Sequence, residues 1–449
     1  MDKVNHYTDH VSGIYKGCVT IDKISCAAEL TLGADGVSIR VFDFNKQLKH
    51  DFLETVSLNK MVFQSEFNYY ILFGLYLMES SFMQVGRDDG FYDYVFTVQG
   101  FAFSRGRLDE HSLYRNISVQ GEGIVKWSGY TRKLKSILES GLGGKVPSEE
   151  DVVEFERKIP NLGVIGLYYL YTYGGVKGLH TVGIDVKPTM VITFEAPVSL
   201  SRLIECYIDL YMFLRFLIGS PIIISNVETQ TTYELGVSST QLYLAEKKSN
   251  ENISAGMLLP YSSIYRDDLE ETFPHCIWDN FYNLNNKVRE LVKKYVTYTM
   301  VNNNEERFLG FYRIIETMTK EDSYYVDKEE LSNLLGLSRK FLARRFPNVS
   351  LGGFIREIKR CNGNKNNTES CIRHFINGFP NSIIEGFKLK EISVGEVCAS
   401  RNKIIHQPLF SESPEKIHKH MNSTEVLIKL AMLRSLGVSD KKLEEIIFY

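Results

Sequence analysis

Arg401, Asn402 and His406 have the residue types that metal-free cleavage of a phosphodiester needs. RNA can be cut by attack of its own 2′-hydroxyl on the adjacent phosphate. That route takes a base for the hydroxyl proton and an acid for the departing 5′-oxygen. Histidine titrates close enough to neutrality to serve as either. The pentavalent phosphorus gathers negative charge, which a guanidinium meets with a planar fork of donors. An asparagine beside the arginine can hold the ring or a phosphate oxygen. No acidic metal cluster lies near the segment, so metal-independent chemistry without a cofactor is expected.

A helix must position these groups. They lie between Glu391 and Pro408, where Ser393 and Glu396 have the spacing of a capping box. A helix is therefore predicted from Val394, and Pro408 stops it just past Gln407. Asn402 and His406 are four apart and share one face. Arg401 lies about 140° round the helix from His406. Its side chain must swing over, or a second copy of the helix must complete the site. Val394, Val397 and Ile405 form the expected apolar anchor. Arginine followed shortly by histidine is a weak signal alone, since Arg105 and His111 also fit it in a strand-and-loop stretch. Asparagine directly after arginine, the capped helix and helical surroundings distinguish the later segment.

Other residues are candidates for support. Glu316 is predicted on a helix near the segment, where it could orient Arg401 or RNA, or simply pair with Arg313. Lys403 can meet a phosphate or face solvent. Arg339, Lys340, Arg344, Arg345, Arg356, Lys359 and Arg360 lie among Phe341, Phe346 and Phe354. That mixture suits an RNA backbone, although a solvated helix face is the commoner meaning of such a run. His418 and His420 are expected at the surface. Cys361, Cys371 and His374 offer three ligands where a structural zinc site takes four, so no metal is expected. Seven cysteines with no C-x-x-C pair fit a reducing cytoplasm better than a disulfide framework.

The charge is uneven. Residues 272–449 hold 27 Lys and Arg against 21 Asp and Glu, and the remainder holds 25 against 34. A basic C-terminal part suits a polyanion, and an acidic front part does not. The pattern changes as well. Val37, Ile39 and Val41 alternate after Gly33-Ala34-Asp35-Gly36, which predicts a hairpin and a half-buried strand. Tyr92–Phe103 reads as strand with Gly100 as a bulge or bend. Strand character is expected to continue through Ile117, Val119, Ile124 and Val125. Two short strands broken at Pro188 are expected within Val182–Phe194, and another at Pro221–Ile224. Between them a helix is capped by Ser199 or Ser201 and closed at Gly219. Glu205, Asp209 and Arg215 mark it as a core helix, with no membrane span. From Trp278 the period turns helical through Tyr295, then across Glu305–Thr319 and a shorter helix at Glu329–Leu335. The fold class expected is α+β, with a β-rich domain over 1–268 and an all-α domain over 269–449.

Arg401-Asn402, three residues and His406 resemble the R-N-x-x-x-H signature of HEPN ribonucleases. Trp278 with its helix, then Glu306-Arg307-Phe308-Leu309 leading to Ile315-Glu316, resembles the opening helices of that domain in the ApeA family of bacterial anti-phage proteins. Leu30–Phe42, Phe91–Phe103 and the helix ending at Gly219-Ser220-Pro221 resemble the ApeA N-terminal domain in order. Pro408 departs from the usual pattern by following the signature closely. The resemblance implies a homodimer, or a higher oligomer, whose signature helices face each other, so that one protomer's Arg401 serves beside the other's His406. It implies an endoribonuclease leaving 2′,3′-cyclic phosphate and 5′-hydroxyl ends on RNA, tRNA foremost, in abortive infection. The front domain is acidic and shows no catalytic constellation, so a sensing or regulatory role is expected of it, with its aromatic-rich face open to a phage-encoded trigger protein. The alternative is a non-catalytic HEPN module that binds RNA or a partner protein.

Overall fold

A computed structural model describes residues 13–21, 24–33, 36–48, 58–66, 68–85, 89–106, 108–109, 111–142, 147–148, 150–175, 182–219, 222, 224–233, 236–244, 258–261, 273–283, 287–320, 324–362, 367–406 and 412–446. The chain forms two compact units, Met1–Asn283 and Leu284–Tyr449. The class is α+β: the first unit is β-rich and the second all-helical.

Among the described residues, twelve antiparallel strands build the first unit. They are β1 (Gly13–Ile21), β2 (Ile24–Gly33), β3 (Gly36–Asp43), β4 (Leu58–Ser65), β5 (Asn68–Val85), β6 (Asp89–Ser104), β7 (Leu113–Gln120), β8 (Val153–Ile159), β9 (Gly163–Gly175), β10 (Val182–Val198), β11 (Asn226–Tyr233) and β12 (Gly236–Leu244). The strand order is β3-β2-β1-β4-β5-β6-β12-β11-β7-β10-β9-β8, and β3 also pairs with β6. The first six strands thus close on themselves. Closure removes their open edges and turns one face of each strand inward. Val19, Leu30, Ile39, Val41, Phe63, Leu72, Tyr94 and Phe96 fill the inside.

Strand β6 serves two sheets. Val98 pairs with Val37 of β3, whereas Gly100 pairs with Leu244 of β12 and Phe73 of β5. Of the bulge or bend that its sequence suggested, Gly100 is not the bulge; the register shift lies between Leu77 and Glu79. Glycine is needed because a Cβ there would sit 2.5 Å from the Phe73 ring and 2.6 Å from the Tyr243 carbonyl. We expect Gly100→Ala to destabilise the first unit by about 1–3 kcal/mol, since backbone on one side cannot give way. The chain has two tryptophans, and Trp127 and Trp278 both lie in this unit. Urea unfolding followed by tryptophan fluorescence therefore reads the effect, and an unchanged midpoint would contradict the argument.

Two further expectations change. Ile124 and Val125 belong to a helix, α1 (Glu122–Ser128), because β7 ends at Gln120. Pro188 does not break β10: it pairs with Tyr169 of β9, while pairing with β7 begins only at Met190. Its missing N–H leaves no ladder bond unmade on that side. Helices α2 (Arg132–Leu142), α3 (Leu200–Ile218) and α4 (Cys276–Asn283) also belong to the unit. Ser199 caps α3 by accepting from the Arg202 N–H, and Gly219 closes it in the left-handed region. Ile222 and Ile224 are buried but form no strand. Pro221, Ile223 and the loop at Glu246–Asn252 lie outside the described residues.

The units divide between Asn283 and Leu284, beyond the 268/269 boundary expected from the sequence. Packing keeps α4 with the strands. The Trp278 ring lies 6.1 Å from Trp127, and Phe281 stacks on Phe213 at 4.1 Å. Asp279 also pairs with Arg157 of β8 at 2.7 Å. The helical period from Trp278 to Tyr295 is thus shared by two helices in different units.

The second unit contains α5 (Lys287–Thr299), α6 (Asn304–Thr319), α7 (Lys328–Arg345), α8 (Leu351–Asn362), α9 (Thr368–Asn377), α10 (Asn381–Gly386), α11 (Val394–His406), α12 (Pro414–Ser435) and α13 (Asp440–Ile446). Helix α6 is central and packs on α5, α9, α11 and α12. Asn303 caps it with bonds to the Glu305 and Glu306 N–H groups. Tyr295 stacks on Phe311 at 5.4 Å and donates to Glu425 at 2.8 Å, tying α5, α6 and α12 together. Helix α7 runs well past the Glu329–Leu335 expected, because Asp327 caps its start and helix-forming residues continue to Arg345. Among the described residues, no helix is long and apolar enough to cross a membrane.

Candidate functional site

Helix α11 begins at Val394, where the Ser393–Glu396 spacing put it, and its last described residue is His406. Gln407 and Pro408 lie outside the described residues. Val394, Val397 and Ser400 are buried, while Ile405 is exposed. Ile405 is therefore not part of the anchor. The inward stripe runs 394, 397, 400/401, and five residues beyond Ser400 the helix has turned away. Ser400 completes the anchor by donating to Glu412 at 2.9 Å. Gly395 lets the helix approach α9, since a Cβ there would lie 3.1 Å from Glu369 Oε1. That carboxylate is already held by Arg373 at 2.8 Å.

Arg401 is half-buried and turned towards α6. Its guanidinium carbon lies 5.4 Å from the centroid of the Tyr312 ring. A guanidinium over an aromatic face is attracted by the ring quadrupole. Its Nη1 donates to Asn402 Oδ1 at 2.9 Å, while its Nε is buried with no hydrogen-bond partner. The arginine keeps donor capacity unspent at the edge of the helix. Tyr312 is fixed in turn, because its hydroxyl donates to Cys398 Sγ at 3.3 Å. Burial, together with that bond, raises the Tyr312 hydroxyl above its ordinary value. Burial also raises the Cys398 thiol. Burial thus favours the neutral form of both groups.

Asn402, Lys403 and His406 are exposed along the outer face. No hydrogen bond joins His406 to Arg401 or Asn402 among the described residues. The structure brings Arg401 and Asn402 together and leaves His406 one turn away at the helix end. Glu316 lies one turn beyond Tyr312 on α6 and accepts from Thr368 at 3.0 Å. Its hydrogen bond goes neither to Arg401 nor to Arg313. Its charge nevertheless bears on both Tyr312 and Cys398.

The basic candidates sit elsewhere on the unit. Arg339, Lys340, Arg344 and Arg345 are on α7, Arg356, Lys359 and Arg360 are on α8, and all seven are exposed. Lys359 donates to Ser332 at 2.8 Å and Arg360 pairs with Glu357 at 2.7 Å. His418 is exposed as expected, but His420 is buried against Phe308 on α6, with ring centroids 6.2 Å apart. Burial lowers its pKa, which marks a neutral core residue. Of the potential zinc ligands, Cys361 is exposed and Cys371 buried.

Sequence reasoning missed Tyr312, Cys398 and Ser400. A signal was present, since Cys398 precedes Arg401 by one turn on the inward side and Tyr312 precedes Glu316 by one turn on α6. A tyrosine one turn before a half-buried carboxylate is common, however, and only the packing of α6 on α11 singles it out.

No curated protein and no solved structure matches the chain. A family model described as ApeA N-terminal domain 1 matches residues 29–275, which covers most of the β-rich unit and leaves α11 outside the match. That span is more than half of the 449 residues, and the chain belongs to the ApeA family.

Proposed function

We propose that the chain is an endoribonuclease of bacterial anti-phage defence, with Arg401, Asn402 and His406 at its active site. The observation that carries this reading is the state of Arg401. Its guanidinium is held over Tyr312 and beside Asn402 with a donor unspent, while His406 is open to solvent on the same helix.

In the proposed reaction, His406 takes the proton of the 2′-hydroxyl. The 2′-oxygen bonds to phosphorus and the bond from phosphorus to the 5′-oxygen breaks. A second His406, from another copy of the chain, protonates that leaving oxygen. Arg401 and Asn402 meet the negative charge that builds on the phosphoryl oxygens. A homodimer whose α11 helices face each other supplies both histidines. It also sets Arg401 of one copy beside His406 of the other, which a single helix does not do. The products are a 2′,3′-cyclic phosphate and a 5′-hydroxyl. RNA is the substrate class, with tRNA the foremost candidate, and the cytoplasm, where that RNA is found, is the proposed compartment. Glu316 supports Tyr312, and Lys403 adds positive charge beside the signature. The β-rich unit senses infection, with a phage-encoded protein as trigger.

Bacterial expression of wild type and His406→Ala, followed by end-sequencing of total RNA with and without phage, tests the reading. New 2′,3′-cyclic phosphate ends should appear with wild type alone. Soluble proteins that give no new ends across several phages would leave a non-catalytic module binding RNA or a protein.

A further inference from the structure

Helices α7 and α8 pack on each other and leave an unusual surface. Leu337 is 85% exposed, Phe341 69% and Leu334 59%, and Phe346 and Phe354 are exposed as well. Leu334, Leu337 and Phe341 follow i, i+3, i+7 spacing, so they form one stripe along α7. Aromatic and aliphatic groups this open are uncommon unless something covers them.

The charge around the stripe says what kind of molecule that is. From Gly336 to Arg360 there are seven basic residues and one acidic residue. The one acid, Glu357, is already paired with Arg360. Arg339, Lys340, Arg344, Arg345 and Arg356 have no carboxylate within ion-pair distance among the described residues. The uncompensated charge calls for an anion, and a second copy of the same face would repel it.

Three of the four α7 cations also lie beside the apolar groups, while Arg339 points to the other side of the helix. Lys340 is three residues from Leu337, and Arg344 and Arg345 are three and four from Phe341, so each lies beside them on the helix. A helix that sinks into a lipid surface separates its charged and apolar faces. Here they interleave, as in proteins that track a phosphate backbone while bases stack on side chains.

We infer that the α7–α8 hairpin is a binding platform for unpaired nucleotides. Its arginines and lysines take the phosphates, Phe341, Phe346 and Phe354 take the faces of bases, and Leu334 and Leu337 cover sugar and base edges. This rests on the nuclease reading for the choice of RNA over other polyanions, and it narrows the substrate to single-stranded segments. A duplex hides its base faces, so the rings gain nothing from it.

The test is fluorescence anisotropy with full-length His406→Ala, a labelled 20-nucleotide oligo(U) RNA and a perfectly paired duplex of equal length. Single-strand binding should be the tighter. Phe341→Leu keeps an apolar side chain but removes the ring. It should weaken single-strand binding about tenfold and leave duplex binding unchanged. Arg344→Gln with Arg345→Gln should weaken both and lower the salt slope by about 1.4 for the single strand. These side chains are exposed, so the variants should fold as wild type does. Equal affinity for the two RNAs, or no effect of Phe341→Leu, would overturn the inference. So would a preference for vesicles containing anionic lipid, or self-association lost in Leu337→Ser. Binding is read without cleavage, so a wild type that binds in this way but never cuts would sink the nuclease reading and leave the platform standing.

Discussion

His406→Ala is expected to slow RNA cleavage by about 10²–10⁴-fold, the usual worth of a positioned acid or base. The folded state should hardly notice. His406 is exposed at the last turn of α11, and surface substitutions of this kind shift stability by about 0.5 kcal/mol or less. His418→Ala is a matched control, since His418 is also exposed and lies on α12. It should cleave at the wild-type rate. Single-turnover cleavage with purified protein in excess, beside thermal unfolding by circular dichroism, separates the two effects. Equal cleavage by His406→Ala and wild type would remove the histidine from the reaction. If both activity and thermal stability fell, His406 would be a structural residue whose loss disturbs the helix.

The sequence made α11 legible for a physical reason. Its start falls where the Ser393–Glu396 spacing puts it, with no side-chain capping bond from either residue among the described residues, and the i, i+4 pair needs no tertiary knowledge. The anchor was less legible. Ile405 looked like core because it is apolar, yet α11 presents Ser400 inward and leaves Ile405 in solvent. Hydrophobicity gives the face only when the apolar residues outnumber the polar ones that the core can satisfy. Ser400 is satisfied by Glu412, from beyond the end of the helix, and no local pattern foretells that. His420 failed in the same way: a polar residue expected outside is enclosed by α6.

In the β-rich unit, strands with clean alternation such as β3 were readable, and the two glycines that flank its hairpin pair across it. Closure of the sheet was not. The β3–β6 pairing joins residues 49 to 61 positions apart, and Gly100 is small because two strands and a ring crowd it from far along the chain. Pro188 misled for a related reason. A proline costs a ladder bond only where a neighbour would have taken it, and the extent of β7 decides that. The unit boundary moved because Trp278 reads as the first turn of a helical domain but buries its ring among Trp127, Phe155 and Phe213.

Arg401→Lys is expected to lower cleavage by about 10²–10³-fold while charge is kept. Lysine offers a point charge on a flexible stem, so it loses both the planar fork and the stacked contact with Tyr312. Tyr312 then provides an internal check on what holds the guanidinium. Tyr312→Phe retains the ring and should cleave within about threefold of wild type, because it removes only the bond to Cys398. Tyr312→Leu removes the ring and should cost about 2- to 30-fold, the range of a partly desolvated cation–π contact. A purely structural role for Tyr312 makes a different forecast, in which Leu harms stability and cleavage together whatever residue stands at 401. A positioning role requires coupling: in the Arg401→Lys background, Tyr312→Leu should slow cleavage by much less than in wild type. Four single-turnover rate constants close that cycle. Additive effects would show that the ring and the guanidinium act independently, and would return Tyr312 to the core of the helical unit.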